Sequence, residues 1–123
     1  MSDHFLGADI GGTKTHVLIA DQDGRVVGFS ETGPGNPETV GYEGLTQAYQ
    51  RSVGMALAQA GISARQIAGV GLGVAGYDWL SQREITLAAL TYPNLDAPRE
   101  LVNDSLLGLL AGSEAGWGIA VVS

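Results

Sequence analysis

The heptapeptide D-I-G-G-T-K-T at residues 9–15 has the composition of a phosphate-binding turn between two strands. Phosphate oxygens accept hydrogen bonds from exposed backbone N–H groups, and the glycine pair removes side chains that would cover them. Thr13 and Thr15 add hydroxyl donors, and Asp9 adds an oxygen ligand of the kind that Mg²⁺ takes. Because the segment joins strand to strand, it is neither a nucleotide P-loop nor a dinucleotide fingerprint. An ordinary glycine hairpin, with turn amides satisfying Asp9, is the alternative.

Asn103 and Asp104 lie between a short predicted strand and a predicted helix. A carboxylate at the carboxyl end of a strand in an α/β sheet points into the crevice where ligands bind. There Asp104 is placed to accept the proton of a substrate hydroxyl as a general base. Aspartate is also a favoured helix N-cap, so a capping role for Asp104 stays open and is compatible with the catalytic one.

Two glycine-rich loops, G-P-G-N-P at 33–37 and G-V-A-G at 73–76, each follow a predicted strand. Asn36 carries an amide that donates and accepts hydrogen bonds, as recognition of a polyol requires. The structural alternatives are that Asn36 caps a turn and that the glycines allow close helix–strand packing. Both interpretations stay open on the sequence alone.

Hydrophobic periodicity predicts the elements that must position these residues. The predicted strands are 5–10, 16–20, 25–32, 67–74, 100–103 and 117–123, and the predicted helices are 41–60, 81–90 and 105–110. A D-G turn at 23–24 joins the second and third strands as a hairpin, so the first three strands are antiparallel. The order βββ-α-β-α-β-α, with a trailing strand, predicts an α/β fold with a mixed sheet and helices on both faces.

Composition excludes several classes of protein. The 123 residues are 45% apolar and 15% charged with a net charge of -7, which predicts one folded acidic domain that binds neither nucleic acid nor an anionic membrane. The chain has no cysteine, so disulfide scaffolds and thiol catalysis are excluded within it. The first residues have neither a basic nor a long apolar segment, and a cytoplasmic location is expected.

The motifs at 9–15, 33–37, 71–76 (G-L-G-V-A-G) and 102–105 (V-N-D-S) together resemble the N-acetylglucosamine kinase and BadF/BcrA-type ATPase family. That family belongs to the actin–hexokinase–Hsp70 superfamily, so the resemblance implies a ribonuclease-H-like (actin-like ATPase) lobe. It also implies a two-lobed kinase with ATP in the cleft. Residues 1–115 are then the N-terminal lobe, and residues 116–123 are the first strand of a C-terminal lobe that lies beyond this chain.

The resemblance implies a role for each motif residue. Asp9 would hold Mg²⁺ through water, and Asp104 would be the catalytic base. The remaining residues fall into two groups: Gly11, Gly12, Thr13 and Lys14 at the ATP phosphates, and Asn36, Gly76 and Asn103 at the sugar. Lys14 has an equal alternative as a solvated hairpin lysine.

The implied activity is transfer of the γ-phosphate of ATP to a hydroxyl of an amino sugar. Two alternatives are a kinase of the ROK type and a BadF-type ATPase that activates a dehydratase, and a third is a sugar-sensing regulator. A second phosphate motif should follow residue 123, so the chain is expected to be inactive alone. A homodimer is left open.

Overall fold

The computed structural model of the chain describes residues 3–74 and 82–103. The elements in chain order are β1 (His4–Ile10), β2 (Thr15–Asp21), β3 (Val26–Thr32), α1 (Pro37–Ala60), a 3₁₀ turn (Ala64–Gln66), β4 (Ile67–Val74), α2 (Arg83–Ala89) and β5 (Arg99–Asn103). All the strands and helices predicted for this part of the chain are present, and α1 begins earlier than predicted. The predicted helix at 105–110, the strand at 117–123 and the boundary after residue 115 lie outside the described residues.

The strands form one mixed sheet in the order β3-β2-β1-β4-β5. β2 is antiparallel to both β1 and β3, whereas β4 is parallel to β1 and β5 is parallel to β4. The predicted topology is therefore confirmed. Because β1, β3, β4 and β5 run in the same direction, their carboxyl ends all meet at one edge of the sheet.

One face of the sheet packs against α1 and α2 to form the hydrophobic core. The buried side chains of β1, β2 and β4 on this face are Leu6, Ala8, Ile10, Val17, Ile19, Val70, Leu72 and Val74. Helix α1 supplies Leu45, Tyr49, Val53 and Ala56, and the end of α2 supplies Ala89 and Leu90. Both described helices thus cover the same face, and the expected helix on the second face falls outside the described residues.

Three glycines fix local features of the fold, and the first of them lies in the predicted D-G turn. Gly24 has a φ of 82° in the β2–β3 turn, and Gly61 has a φ of 72° as the C-cap of α1. Both conformations belong to the left-handed region that glycine adopts without strain. Gly54, in the middle of α1, lies where a Cβ would come within 3.3 Å of the hydroxyl of Tyr92, so this glycine marks close packing.

Helix α1 contains one break that the sequence pattern did not predict. Gly41 has a φ of 75° and a ψ of 173°, so the first turn of α1 is set off from the rest of the helix. None of the helices among the described residues is long and apolar enough to span a membrane.

Candidate functional site

The predicted motifs converge on the edge of the sheet where the parallel strands end. The hairpin at 11–14 follows β1, the loop at 33–36 follows β3, and Asn103 is the last residue of β5. The register aligns one residue from each strand at this edge, in sheet order Thr32, Thr15, Ile10, Val74 and Asn103. Gly76 and Asp104 lie outside the described residues, and only the backbone of Asn103 is described.

The hairpin between β1 and β2 has a backbone hydrogen bond within it, and its tip is accessible to a ligand. The amide of Gly11 donates a 2.8 Å hydrogen bond to the carbonyl oxygen of Lys14. Gly12 and Thr13 are exposed, and within residues 3–74 and 82–103 no atom lies within 4 Å of a Cβ built on Gly12. A ligand can therefore approach the backbone at Gly12 closely, as the phosphate-binding prediction requires.

Asp9 lies one residue before the end of β1, on the face of the sheet opposite α1. It is half-buried, and the register places it between His16 of β2 and Gly73 of β4. Since Gly73 has no side chain, the carboxylate is not crowded by β4. Mg²⁺ bound to phosphates typically takes one or two protein carboxylates and completes its shell with water. Asp9 offers one such carboxylate next to the hairpin, which fits that ion.

Thr15 is not the hydroxyl donor that the sequence predicted. It starts β2 on the face covered by α1, its side chain is fully buried, and its Oγ1 has no hydrogen-bond partner among the described residues. No ligand at the hairpin reaches a hydroxyl beneath the helix. The alternation of Thr15 with buried Val17 and Ile19 would have predicted this position.

Lys14 is paired with Glu31 of β3. Its Nζ lies 3.6 Å from Oε2 of Glu31, and Nε2 of His16 lies 3.1 Å from Oε1 of the same carboxylate. The hydrogen bond with His16, followed by the charge of Lys14, holds the pKa of Glu31 below its usual value. His16 and Glu31 were not among the predicted site residues, although the pairing of β2 with β3 places them opposite each other.

The loop at 33–36 is attached directly to the hairpin. The amide of Gly35 donates a 3.2 Å hydrogen bond to the carbonyl oxygen of Gly11. The next residue, Asn36, is the N-cap of α1, because its Oδ1 accepts a 2.9 Å hydrogen bond from the amide of Glu38. The capping interpretation of Asn36 is confirmed, and its role at a sugar stays a prediction.

Several known proteins are similar to this chain. An N-acetylmuramic acid/N-acetylglucosamine kinase from Clostridium acetobutylicum is 28% identical over 120 residues, which make up 98% of this chain and 39% of the relative. The chain thus spans about two fifths of that relative. A candidate N-acetylglucosamine kinase from Chromobacterium violaceum has a TM-score of 0.71 at 24% identity, over 93% of this chain and 39% of the other.

An inorganic polyphosphate/ATP-glucomannokinase from Arthrobacter sp. strain KM has a TM-score of 0.63 at 24% identity, over 97% of this chain and 51% of the other. The chain shares its fold with both of these structures. The family model of the BadF/BadG/BcrA/BcrD ATPases matches residues 6–90, more than half of the chain, and includes both the hairpin and the attached loop. The chain belongs to the BadF/BadG/BcrA/BcrD ATPase family.

Proposed function

We propose that the chain is the N-terminal lobe of an ATP-dependent kinase that phosphorylates a hydroxyl of an amino sugar, N-acetylglucosamine or N-acetylmuramic acid. One observation carries the proposal: a hairpin suited to phosphate and a loop with a polar amide are joined side by side by the hydrogen bond between Gly35 and Gly11. A kinase must hold its two substrates next to each other. At this edge of the sheet the hairpin would bind ATP and the loop would bind the sugar. Membership of an ATPase family and the similarity to an amino-sugar kinase support it.

The hairpin would hold the phosphates of ATP. Exposed backbone at Gly12 and Thr13 offers donors without steric cover, and Lys14 at the end of the turn offers a positive charge. Asp9 would hold Mg²⁺ through water, and that ion supplies charge neutralisation when bound. Phosphoryl transfer depends mainly on positioning and electrostatic stabilisation, so a small set of groups suffices in this lobe.

The loop after β3 and the end of β5 would form the sugar side. Oδ1 of Asn36 is occupied in capping α1, so its amide Nδ2 is the group that would donate to a sugar hydroxyl or acetamide oxygen. By the family resemblance, Gly76 and Asn103 would line the sugar and Asp104 would accept the proton of the attacking hydroxyl. These roles belong to the full-length protein, in which this chain forms one lobe.

The proposal is tested by incubating the full-length protein with Mg²⁺, ATP and one sugar at a time, and measuring both ADP and sugar phosphate. The panel contains N-acetylglucosamine, N-acetylmuramic acid, glucose and mannose. We expect equal amounts of ADP and sugar phosphate with an acetamido sugar and much slower turnover with the other two. ATP hydrolysis that proceeds at the same rate with and without every sugar would contradict the proposal and favour the dehydratase-activator alternative.

A further inference from the structure

We propose that Gly35 is a positioning residue. It fixes the separation between the loop at 33–36 (the sugar loop) and the hairpin at 11–14 (the phosphate hairpin). In this way it aligns the acceptor hydroxyl of the sugar with the γ-phosphate of ATP. This inference rests on the proposed function. Gly35 itself touches neither substrate in the proposal. It acts through Gly11 on the hairpin side and through Asn36 on the sugar side.

The contacts around Gly35 leave no room for a side chain. A Cβ at this position would lie 2.5 Å from Cγ2 of Ile10, 3.1 Å from Oγ1 of Thr15 and 3.3 Å from Cβ of Ala48. The first distance is well inside the ~3.5–4.0 Å at which two carbon atoms rest in contact. Only glycine therefore lets the loop lie this close to the ends of β1 and β2.

The close approach is what allows the backbone hydrogen bond between the two loops. The amide of Gly35 reaches the carbonyl oxygen of Gly11 at 3.2 Å, so the loop rests directly on the first residue of the hairpin. A shift of the loop by about 1 Å, the amount needed to relieve the contact with Ile10, would break this hydrogen bond.

Such a shift would be passed on to Asn36. The residue that follows Gly35 is tied to α1 through its side-chain hydrogen bond to the amide of Glu38 and through backbone hydrogen bonds from Thr39 and Val40 to its carbonyl oxygen. The loop and the first turn of α1 therefore move together. Gly41, with its left-handed φ of 75°, gives that turn a break about which to move.

Misalignment of the two substrates should reduce the rate of transfer much more than it weakens binding. A displacement of about 1 Å between reacting groups can cost roughly 100-fold in rate, because the bound geometry no longer matches the transition state. Each substrate would keep its own contacts, since the hairpin and the loop stay intact as separate units. This split between kcat and KM distinguishes positioning from a loss of binding.

The experiment is steady-state kinetics of Gly35→Ala in the full-length protein, with kcat, both KM values, the melting temperature and the ratio of sugar phosphate to ADP. We expect kcat to fall about 10- to 100-fold, KM for ATP and for sugar to change less than about threefold, and a larger share of ATP to be hydrolysed by water. Gly54→Ala, in the middle of α1, is the matched control, because its Cβ would meet only the far end of the Tyr92 side chain at 3.3 Å and lies in neither loop. It should keep the wild-type kcat.

A second variant tests whether the contact between the new Cβ and Ile10 causes the loss of activity. It also keeps the inference testable if Gly35→Ala folds poorly. Leucine has no Cγ2 branch on its Cβ, so Ile10→Leu removes the atom that the new Cβ would strike. We expect Gly35→Ala/Ile10→Leu to recover kcat to within about threefold of Ile10→Leu alone. The inference is overturned if folded Gly35→Ala keeps the wild-type kcat, or if the folded double variant stays as slow as Gly35→Ala or remains about 100-fold below Ile10→Leu. A wild-type protein that phosphorylates no sugar would instead refute the proposed function.

Discussion

The ammonium of Lys14 lies 3.6 Å from the carboxylate of Glu31, across the end of the phosphate hairpin. Both side chains are well exposed, at 59% and 48%, so solvent screens the pair and it adds little to stability. The pair instead holds the charge of Lys14, the residue that follows Gly12 and Thr13 in the hairpin, at Glu31 of β3. A phosphate bound to the hairpin would compete with Glu31 for that charge.

Substitution of Lys14 and of Glu31 separates the two interpretations of the lysine. We expect Lys14→Gln to raise KM for ATP about tenfold with little change in the melting temperature, because a charge-assisted contact to phosphate is lost. Glu31→Gln is the control, since it breaks the same ion pair but keeps the cation, and it should leave KM for ATP unchanged or lower. If both variants keep the wild-type KM, Lys14 is only a solvated hairpin lysine.

Asn36 has a demonstrated structural role that must be separated from its proposed contact with sugar. Asn36→Asp keeps a side-chain oxygen for the amide of Glu38, so the cap of α1 and the melting temperature should be preserved. It removes the amide donor, and we expect KM for the sugar to rise about tenfold. Asn36→Ala removes both functions and should lower the melting temperature as well. Wild-type sugar kinetics in Asn36→Asp would mean that Asn36 is a cap and nothing more.

Asp104 is tested by replacing its carboxylate with an amide in the full-length protein. Asparagine is as good an N-cap as aspartate, so Asp104→Asn should not change stability. An amide cannot accept the proton of the sugar hydroxyl, and we expect kcat to fall about 10²- to 10⁴-fold with a smaller change in sugar binding. Asp9→Asn is the comparison and should weaken the use of Mg²⁺ and ATP. A near-wild-type kcat in Asp104→Asn would assign the residue to capping.

The order and direction of the strands could be predicted from the sequence because local signals agreed with one another. The apolar runs at 5–10 and 16–20 and the D-G turn at 23–24 all indicate short antiparallel strands. The convergence of the hairpin and the loop at one edge then follows from the parallel arrangement of β1, β3 and β4.

The contacts between these motifs could not be predicted in the same way. The hydrogen bond between Gly35 and Gly11 joins residues from two loops, and nothing in either loop specifies the other as its partner. The role of Thr15 as a hydroxyl donor was predicted wrongly, because its place in the glycine motif does not show that it alternates with the buried Val17 and Ile19. Gly41 is the first residue of the predicted helix, and a single glycine there does not show that the residues before it form a further helical turn.

Gly28, where β3 packs against α1, and Gly54, within α1, should respond differently to alanine. A Cβ on Gly28 would overlap the carbonyl oxygen of Ala56, and neither backbone can move freely, so Gly28→Ala should cost about 1–3 kcal/mol in the free energy of unfolding. Gly54→Ala is the matched substitution within α1, where the new Cβ meets only the far end of Tyr92 at 3.3 Å. Its gain in helix propensity should raise stability by up to about 1 kcal/mol. Denaturant unfolding that gives equal effects for the two would contradict the packing of α1 on β3.

The most direct test of the hairpin as the ATP site is KM for ATP in Gly12→Ala, measured during sugar phosphorylation by the full-length protein. A Cβ at Gly12 has no atom of the described residues within 4 Å, so the melting temperature and KM for the sugar should match the wild type. The same Cβ would stand where a phosphate must approach the backbone, and KM for ATP should rise about 10- to 100-fold through the loss of charge-assisted hydrogen bonds. An unchanged KM for ATP in the folded variant would contradict the assignment of the hairpin as the phosphate site.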